Sequence, residues 1–194
     1  RIQVTGSTLR DALAIIMPSP AERTEIVAAH NVEANRFVLA TIHRAENADS
    51  EHNLGAILRE LAAIPIPVVL PLHPRTKRRA LEFGFQSEIA ALAVCDPLGY
   101  REFVSLASES ALLVSDSGGV QEEACIVKRP VVIVRNSTER PEILASGAWA
   151  PLTLLAVDRI VEDRPRPAWI MAGMAGVAMQ IVGGNPQYVF YTGI

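Results

Sequence analysis

The sequence predicts an α/β fold with a parallel, doubly wound sheet. Short apolar runs rich in β-branched residues, such as 36–42, recur along the chain. Runs of this kind suit strands of a sheet that is covered on both faces. Each run is followed by polar residues and then by a segment with helical apolar spacing, and this repeated order is typical of a parallel sheet.

The first part of the chain predicts two helices and a core strand. Residues 9–17 carry apolar side chains at helical spacing, and two prolines end this helix. The segment 21–30 predicts a second short helix. The run RFVLATI at 36–42 is apolar and β-branched, and it predicts the first core strand.

Further elements follow the same order. The remaining predictions are a helix over 51–63, a strand over 68–72, a helix with a basic start at 76–79, a strand over 89–95, a helix over 102–108, a strand over 111–114 and a strand over 130–134. The basic start is interpreted as a solvated helix face and not as a nucleic-acid patch, because the chain is acidic overall.

The stretch 112–123 is the centre of the predicted site. It reads as a buried strand, a Ser-Gly-Gly turn, and a helix that opens with Gln121, Glu122 and Glu123. Glycines leave the backbone N–H groups accessible, and a helix N-terminus attracts phosphate. The stretch therefore suggests a nucleotide-phosphate site. An ordinary strand-to-helix turn with acidic residues near its dipole is the open alternative.

Polar residues follow four of the predicted strands. They are His43 and Arg44; His73; Ser117, Gly118 and Gly119 with Glu123; and Arg140 with Glu139 and Glu142. The carboxyl ends of parallel strands lie at one edge of the sheet, where open α/β sheets bind ligands. We therefore expect these groups to share one cleft.

Composition narrows the class of protein. A length of 194 residues fits one domain with a full core, or at most two small domains. A formal charge of −3 gives no general attraction to nucleic acid. Two cysteines without metal-like spacing predict reduced thiols in the cytoplasm.

The apolar run 168–184 is short for a membrane span, so a buried helix or an interface is expected there. The chain shows no signal peptide and opens without methionine, which predicts a fragment of a longer protein.

Five sequence blocks resemble the carboxyl-terminal half of the non-hydrolysing UDP-N-acetylglucosamine 2-epimerases. These blocks are TIHRAENAD (41–49), PLHPRTKRRALEFG (71–84), DPLGYREFVSL (96–106), SDSGGVQEEACI (115–126) and RNSTERPEILASG (135–147). The resemblance implies that 1–194 is a UDP-binding, Rossmann-like domain, the second half of a glycosyltransferase-B-like fold whose amino-terminal domain is absent from this chain.

The resemblance also implies an activity. Members of the family interconvert UDP-GlcNAc and UDP-ManNAc by eliminating UDP to a 2-acetamidoglucal and adding it back, for polysaccharide precursors, with no redox cofactor or metal. Carboxylates of the amino-terminal domain take part in proton transfer, so this chain alone is expected to bind UDP weakly without turnover. For the full-length protein we expect a homodimer in the cytoplasm, with no nucleic-acid or membrane partner.

The resemblance also implies which residues of this sequence match the binding and catalytic positions of the family. The residues that would bind the nucleotide are Ser117, Gly118 and Gly119 at the diphosphate, Glu123 at the ribose hydroxyls, the Leu98 backbone and Phe103 at the uracil, and Arg140 near the phosphates. His43 matches the catalytic histidine. Arg44 and His73 match positions that contact a second, activating UDP-GlcNAc in some members.

The chain departs from the family pattern at its end. VDRIVED resembles the late helix, but 168–194 keeps only Gly-Asn-Pro of the expected ending and is a divergent tail. Two alternatives stay open. One is a hydrolysing epimerase that releases ManNAc and UDP, and the other is a non-catalytic nucleotide-sugar-binding module or glycosyltransferase half. The presence of His43 argues against the second alternative, because phosphate binding alone does not require it.

Overall fold

A computed structural model describes residues 8–135 and the backbone of 189–191. The helices are α1 (Leu9–Ile16), α2 (Pro20–Ala29), α3 (Ala45–Ala48), α4 (Glu51–Ala62), α5 (Pro74–Glu82), α6 (Gln86–Ala90), α7 (Tyr100–Glu109) and α8 (Gly118–Val127). The strands are β1 (Val38–Thr41), β2 (Val68–Pro71), β3 (Ala93–Cys95), β4 (Leu112–Ser115), β5 (Val131–Ile133) and β6 (Val189–Tyr191). The predictions on Arg140, on the late helix and on the apolar run 168–184 lie outside the described residues.

The strands form one parallel sheet in the order β3-β2-β1-β4-β5-β6. The chain builds outward from β1 through β2 to β3, and then crosses to the other side of β1 with β4. This reversal makes the gap between β1 and β4 the topological switch point, and open sheets of this kind bind ligands outside the carboxyl ends of the strands there. In register, Val38 lies beside Leu112 and Thr41 beside Ser115.

Buried apolar residues cover both faces of the sheet. Leu39 and Leu113 belong to the cluster that includes side chains of α1, α2, α7 and α8. Val38 and Val114 belong to the cluster that includes side chains of α4 and α5. Adjacent residues on a strand point to opposite faces, so helices on both sides bury both sets. The predicted α/β, doubly wound sheet is confirmed.

Two of the predicted boundaries differ from the structure by three residues or more. The strand predicted over 89–95 is wrong in its first part, because Gln86–Ala90 forms the helix α6 and β3 begins only at Ala93. The side chain of Ile89 packs against the buried cluster from this helical turn, and alanine favours helix. The helix predicted to open at Gln121 begins three residues earlier, at Gly118.

Candidate functional site

The candidate site lies at the switch point of the sheet. His43 follows β1, and Asp116 follows β4, the neighbouring strand. The Asp116 backbone N–H donates to the Thr41 carbonyl at 3.3 Å, which holds the two strand ends side by side. The expected convergence of polar groups at one sheet edge is thus confirmed for the ends of β1 and β4.

The carboxylate of Asp116 accepts hydrogen bonds from the two residues that precede α3. The His43 backbone N–H lies 3.2 and 3.1 Å from its two oxygens, and the Arg44 N–H lies 2.9 Å from Oδ2. The imidazole Nδ1 of His43 lies 3.1 Å from Oδ1. Asp116 is fully buried, whereas the His43 side chain is 48% exposed. A buried carboxylate is stable only when its oxygens are satisfied in this way.

Asn47 completes the hydrogen-bond network around the Asp116 carboxylate. Its Nδ2 donates to Asp116 Oδ2 at 3.1 Å and to the Val134 carbonyl at 2.9 Å. Asn47 is itself 4% exposed. The amide therefore ties α3 to the ends of both β4 and β5, and it restricts the position of the Asp116 carboxylate.

The network shifts the proton affinities of both titratable groups. The hydrogen bond to Asp116 raises the pKa of His43, although partial burial and the Arg44 charge act against it. Burial alone would raise the pKa of Asp116, but hydrogen bonds from His43, the Arg44 backbone and Asn47 outweigh burial and lower it. Because Asp116 stays ionised, Nδ1 of His43 must carry the shared proton, and Nε2 is the nitrogen available to a ligand.

The N-terminus of α8 lies immediately after Asp116. Ser117 is its extended N-cap residue and makes no side-chain capping bond. Ser115 Oγ accepts from the Ser117 N–H at 3.0 Å and lies 2.7 Å from Thr41 Oγ1. The first turn is Gly118, Gly119 and Val120, so no acidic side chain lies in it. A helix start of this kind favours an anion such as a diphosphate.

Glu123 lies in the second turn of α8 and is 8% exposed. Burial raises the pKa of this carboxyl, and a hydrogen bond from the Tyr100 hydroxyl partly offsets that. Burial and the same bond raise the pKa of Tyr100 to about 12. Tyr100 begins α7, so this pair connects the first residue of α7 to the second turn of α8.

Three other predicted site residues, His73, Leu98 and Phe103, lie in the described part of the chain. His73 is exposed, and its Nδ1 accepts from the Arg75 N–H at 3.2 Å, so it caps α5. Leu98 packs against the buried cluster that contains Phe103, which is 8% exposed. Whether these two residues contact a uracil stays a prediction.

Three polar residues of the site did not figure in the sequence-based assignment. Asp116, Asn47 and Tyr100 all lie within the resembling blocks, but only their neighbours received roles. A buried strand that ends in aspartate is the signal that identifies Asp116, because such a carboxylate requires nearby donors. Asn47 and Tyr100 give no comparable signal, since their partners are distant in sequence.

The described part of the chain contains no cluster of histidine, cysteine or acidic side chains suited to hold a metal ion. Within the same residues, no helix combines the length and the apolar character of a membrane span.

Replacing Gly119 with alanine tests the α8 site. A Cβ there would meet only Ser117 Oγ, at 3.8 Å, so the free energy of unfolding should stay the same or rise by up to about 1 kcal/mol. The methyl group would instead obstruct any diphosphate bound at this helix start, and losing one charged hydrogen bond costs about 1.5–3 kcal/mol, or roughly 10–100-fold in UDP affinity. Urea unfolding and calorimetric titration with UDP measure the two effects. Undiminished affinity would contradict a phosphate site here.

Gly55→Ala is the matched control. A Cβ on Gly55 would overlap the Phe85 ring, which packs edge-on against Phe83 with centroids 6.3 Å apart. Overpacking of this kind costs about 1–3 kcal/mol. Gly55 lies on α4, so the control should lose stability and keep its affinity for UDP, the reverse of Gly119→Ala.

Comparison with known proteins identifies similar sequences and folds. The family model described as UDP-N-acetylglucosamine 2-epimerase matches residues 1–163. The Methanocaldococcus jannaschii UDP-N-acetylglucosamine 2-epimerase is 36% identical over 157 residues, which cover 76% of this chain and 43% of that protein. The Pseudomonas aeruginosa UDP-2,3-diacetamido-2,3-dideoxy-D-glucuronate 2-epimerase is 45% identical over 130 residues, covering 66% of this chain and 36% of that protein.

A solved structure shows the same fold. The M. jannaschii enzyme in complex with UDP-GlcNAc and UDP superimposes with a TM-score of 0.60 at 35% identity, covering 74% of this chain and 41% of that one. The match corresponds to the carboxyl-terminal half of a glycosyltransferase-B-like fold, as predicted. The chain thus spans about two fifths of the length of these relatives.

Proposed function

Because this chain belongs to the UDP-N-acetylglucosamine 2-epimerase family, we propose that it is the nucleotide-binding half of an enzyme that interconverts UDP-GlcNAc and UDP-ManNAc. An amino-terminal domain would supply the rest of the active site. The proposal includes a role in making precursors of surface polysaccharides.

The observation that carries this proposal is the adjacency of two functional groups. Asp116 fixes His43, and the next residue, Ser117, begins the helix whose N-terminus suits a diphosphate. A partly exposed imidazole is therefore held beside the position where a departing UDP would lie. Phosphate binding alone needs no such histidine.

The proposed reaction is an elimination followed by an addition. A base removes the proton from C2 of the sugar, the C1–O bond breaks, and its electron pair leaves with the UDP oxygen. The resulting 2-acetamidoglucal carries a C1–C2 double bond, and UDP adds back to C1 while a proton reaches the opposite face of C2. No net oxidation or reduction occurs.

We assign the proposed roles by location. The α8 residues Ser117, Gly118 and Gly119 would hold the diphosphate, where preorganised donors stabilise the charge that develops on the leaving group. His43 would present Nε2 to that group as a proton donor or cation. Glu123 would accept the ribose hydroxyls in place of the Tyr100 hydroxyl.

Five further residues belong to the proposal. Leu98, Phe103 and Arg140 would contact the uracil and the phosphates. Arg44 and His73 would contact a second, activating UDP-GlcNAc, and the exposure of the His73 ring supports an external ligand there.

A second substrate is favoured by one observation. The relative at 45% identity acts, by its name, on a UDP-2,3-diacetamido uronate, whereas the UDP-GlcNAc 2-epimerase of M. jannaschii is 36% identical. The chemistry at C2 would be the same for both sugars. The alternative proposal is therefore that the full enzyme epimerises a UDP-2,3-diacetamido-2,3-dideoxyuronate.

The test uses a two-domain protein that carries this chain as its second half. Each UDP-sugar is incubated in D₂O and followed by proton NMR. Deuterium at C2 of both epimers establishes the reversible reaction and identifies the substrate. Free ManNAc with UDP would indicate the hydrolysing epimerase, and unchanged sugar with detectable UDP binding would leave the binding module or transferase half.

The chain of 194 residues should by itself bind UDP weakly and leave either sugar unchanged. Among the described carboxylates near His43, Asp116 is fully buried and Glu46 pairs with Arg135 at 3.5 Å. Neither is set up to abstract the C2 proton, which supports the proposal that the base belongs to the amino-terminal domain. The same NMR assay measures this, and robust epimerisation by the chain alone would contradict it.

We also propose a cytoplasmic location, which Cys95 and Cys125, two cysteines that form no disulfide, support. The homodimer expected of the full-length protein stays a prediction. Light scattering on the two-domain protein would test it.

A further inference from the structure

We propose that Asp116 is a positioning residue that holds the His43 imidazole as the Nδ1–H form, with Nε2 directed to the ligand cleft. The inference deepens the proposed function, because its catalytic consequence rests on His43 acting at the leaving group. The bond between the two side chains itself needs no substrate.

Geometry supports more than a capping role for Asp116. A residue that only caps α3 would be satisfied by the backbone N–H groups of His43 and Arg44, which lie 2.9–3.2 Å from its oxygens. Asp116 also accepts from the His43 ring at 3.1 Å. The ring bond orients a side chain that is otherwise half exposed and free to rotate.

The burial of the Asp116 carboxylate restricts the orientation of the His43 ring. Asp116 has no exposed surface, and Asn47 holds its Oδ2 from the opposite side at 3.1 Å. The carboxylate is therefore held in place, and it has no surface open to water while the ring is bonded to it. Charged groups act on His43 from two elements, Asp116 at the end of β4 and Arg44 at the start of α3.

One consequence concerns which proton His43 can give. With Nδ1–H bonded to an ionised carboxylate, any second proton resides on Nε2 and faces the ligand. Asp116 favours this cationic form, and the cation can protonate the departing diphosphate oxygen or stabilise its charge. Asp116 itself would touch neither the sugar nor the phosphates.

The first experiment is nitrogen NMR on the unsubstituted 194-residue chain. The high-pH spectrum should show His43 as the Nδ1–H tautomer, and its titration should give a pKa above 6.5. His43→Gln assigns the signal. An Nε2–H tautomer, or a pKa at or below that value, would overturn the proposal without any need for a substituted Asp116 to fold.

Asp116→Asn is the decisive variant. An amide can donate to Nδ1, so the tautomer should invert to Nε2–H and the pKa of His43 should fall. In the two-domain protein, kcat should drop about 10²-fold or more while the dissociation constant for UDP stays unchanged. A His43 pKa that does not move, or a loss confined to UDP affinity, would overturn the inference.

Asp49→Asn is the matched control. Asp49 pairs with Arg75 and Arg79 between α3 and α5 and makes no described bond to His43. The control should leave the His43 tautomer and pKa in place. If the two-domain protein acts on neither sugar while the NMR results hold, the proposed reaction fails and the positioning of His43 by Asp116 stands.

Discussion

Replacing His43 with glutamine is expected to lower kcat of the two-domain protein by about 10²–10⁴-fold, the usual contribution of a general acid or base. Glutamine keeps a similar length and can still donate to Asp116 from its amide, so the start of α3 should remain folded. It cannot carry a proton to the leaving oxygen. Because the diphosphate is held by the N-terminus of α8, UDP affinity should change little. Steady-state kinetics and calorimetric titration with UDP separate the two quantities.

The matched control for this prediction is His52→Gln. His52 is exposed on the first turn of α4, so the same change in chemistry should leave kcat and UDP affinity at their starting values. Two outcomes would contradict the role of His43. One is near-normal kcat in His43→Gln, and the other is a loss of UDP affinity that accounts for the entire effect.

The sequence was sufficient to predict the sheet, because its strands are buried on both faces and separated by amphipathic helices. Once 36–42 and 111–114 are read as parallel strands, polar residues after each must lie at the same edge. His43 and the Ser-Gly-Gly segment were found in this way. Their predicted roles came from the resemblance, and those roles remain to be tested.

The sequence did not predict the contacts between polar residues that are distant along the chain. The sequence gives Asp116 no role, because its donors lie about 70 residues earlier, at His43, Arg44 and Asn47. The glycine pair looked like a turn before a helix, yet the helix already includes it. The alternation and spacing of apolar residues in a sequence predict which side chains are buried. They do not predict which buried polar groups contact one another.

Removing the Asp116 side chain altogether should produce the largest loss of stability. Asp116→Ala leaves the backbone donors of His43 and Arg44 and the Asn47 amide without their acceptor. Each donor left without an acceptor in a buried position costs about 1–3 kcal/mol. A domain has only about 5–15 kcal/mol in total, so the urea midpoint should fall steeply. The surface control Asp49→Ala, whose partners are solvent-exposed arginines, should have a much smaller effect.

The pH dependence of this loss follows from the two shifted pKa values. The pKa of Asp116 is lowered on folding, so its stabilisation is present above the ordinary value of 3.8 and is lost as pH falls through the lower, folded value. The pKa of His43 is raised, so its stabilisation is present below 6.5 and is lost as pH rises through the higher, folded value. The loss in free energy of unfolding caused by Asp116→Ala should therefore be largest between pH 3.8 and pH 6.5, the ordinary pKa values of the two groups. It should shrink modestly at alkaline pH, because His43 is half exposed and solvent screens its charge. Urea unfolding at pH 5.5 and at pH 9 measures the difference, and a penalty that grows at alkaline pH would show that the two side chains do not share a proton-linked bond.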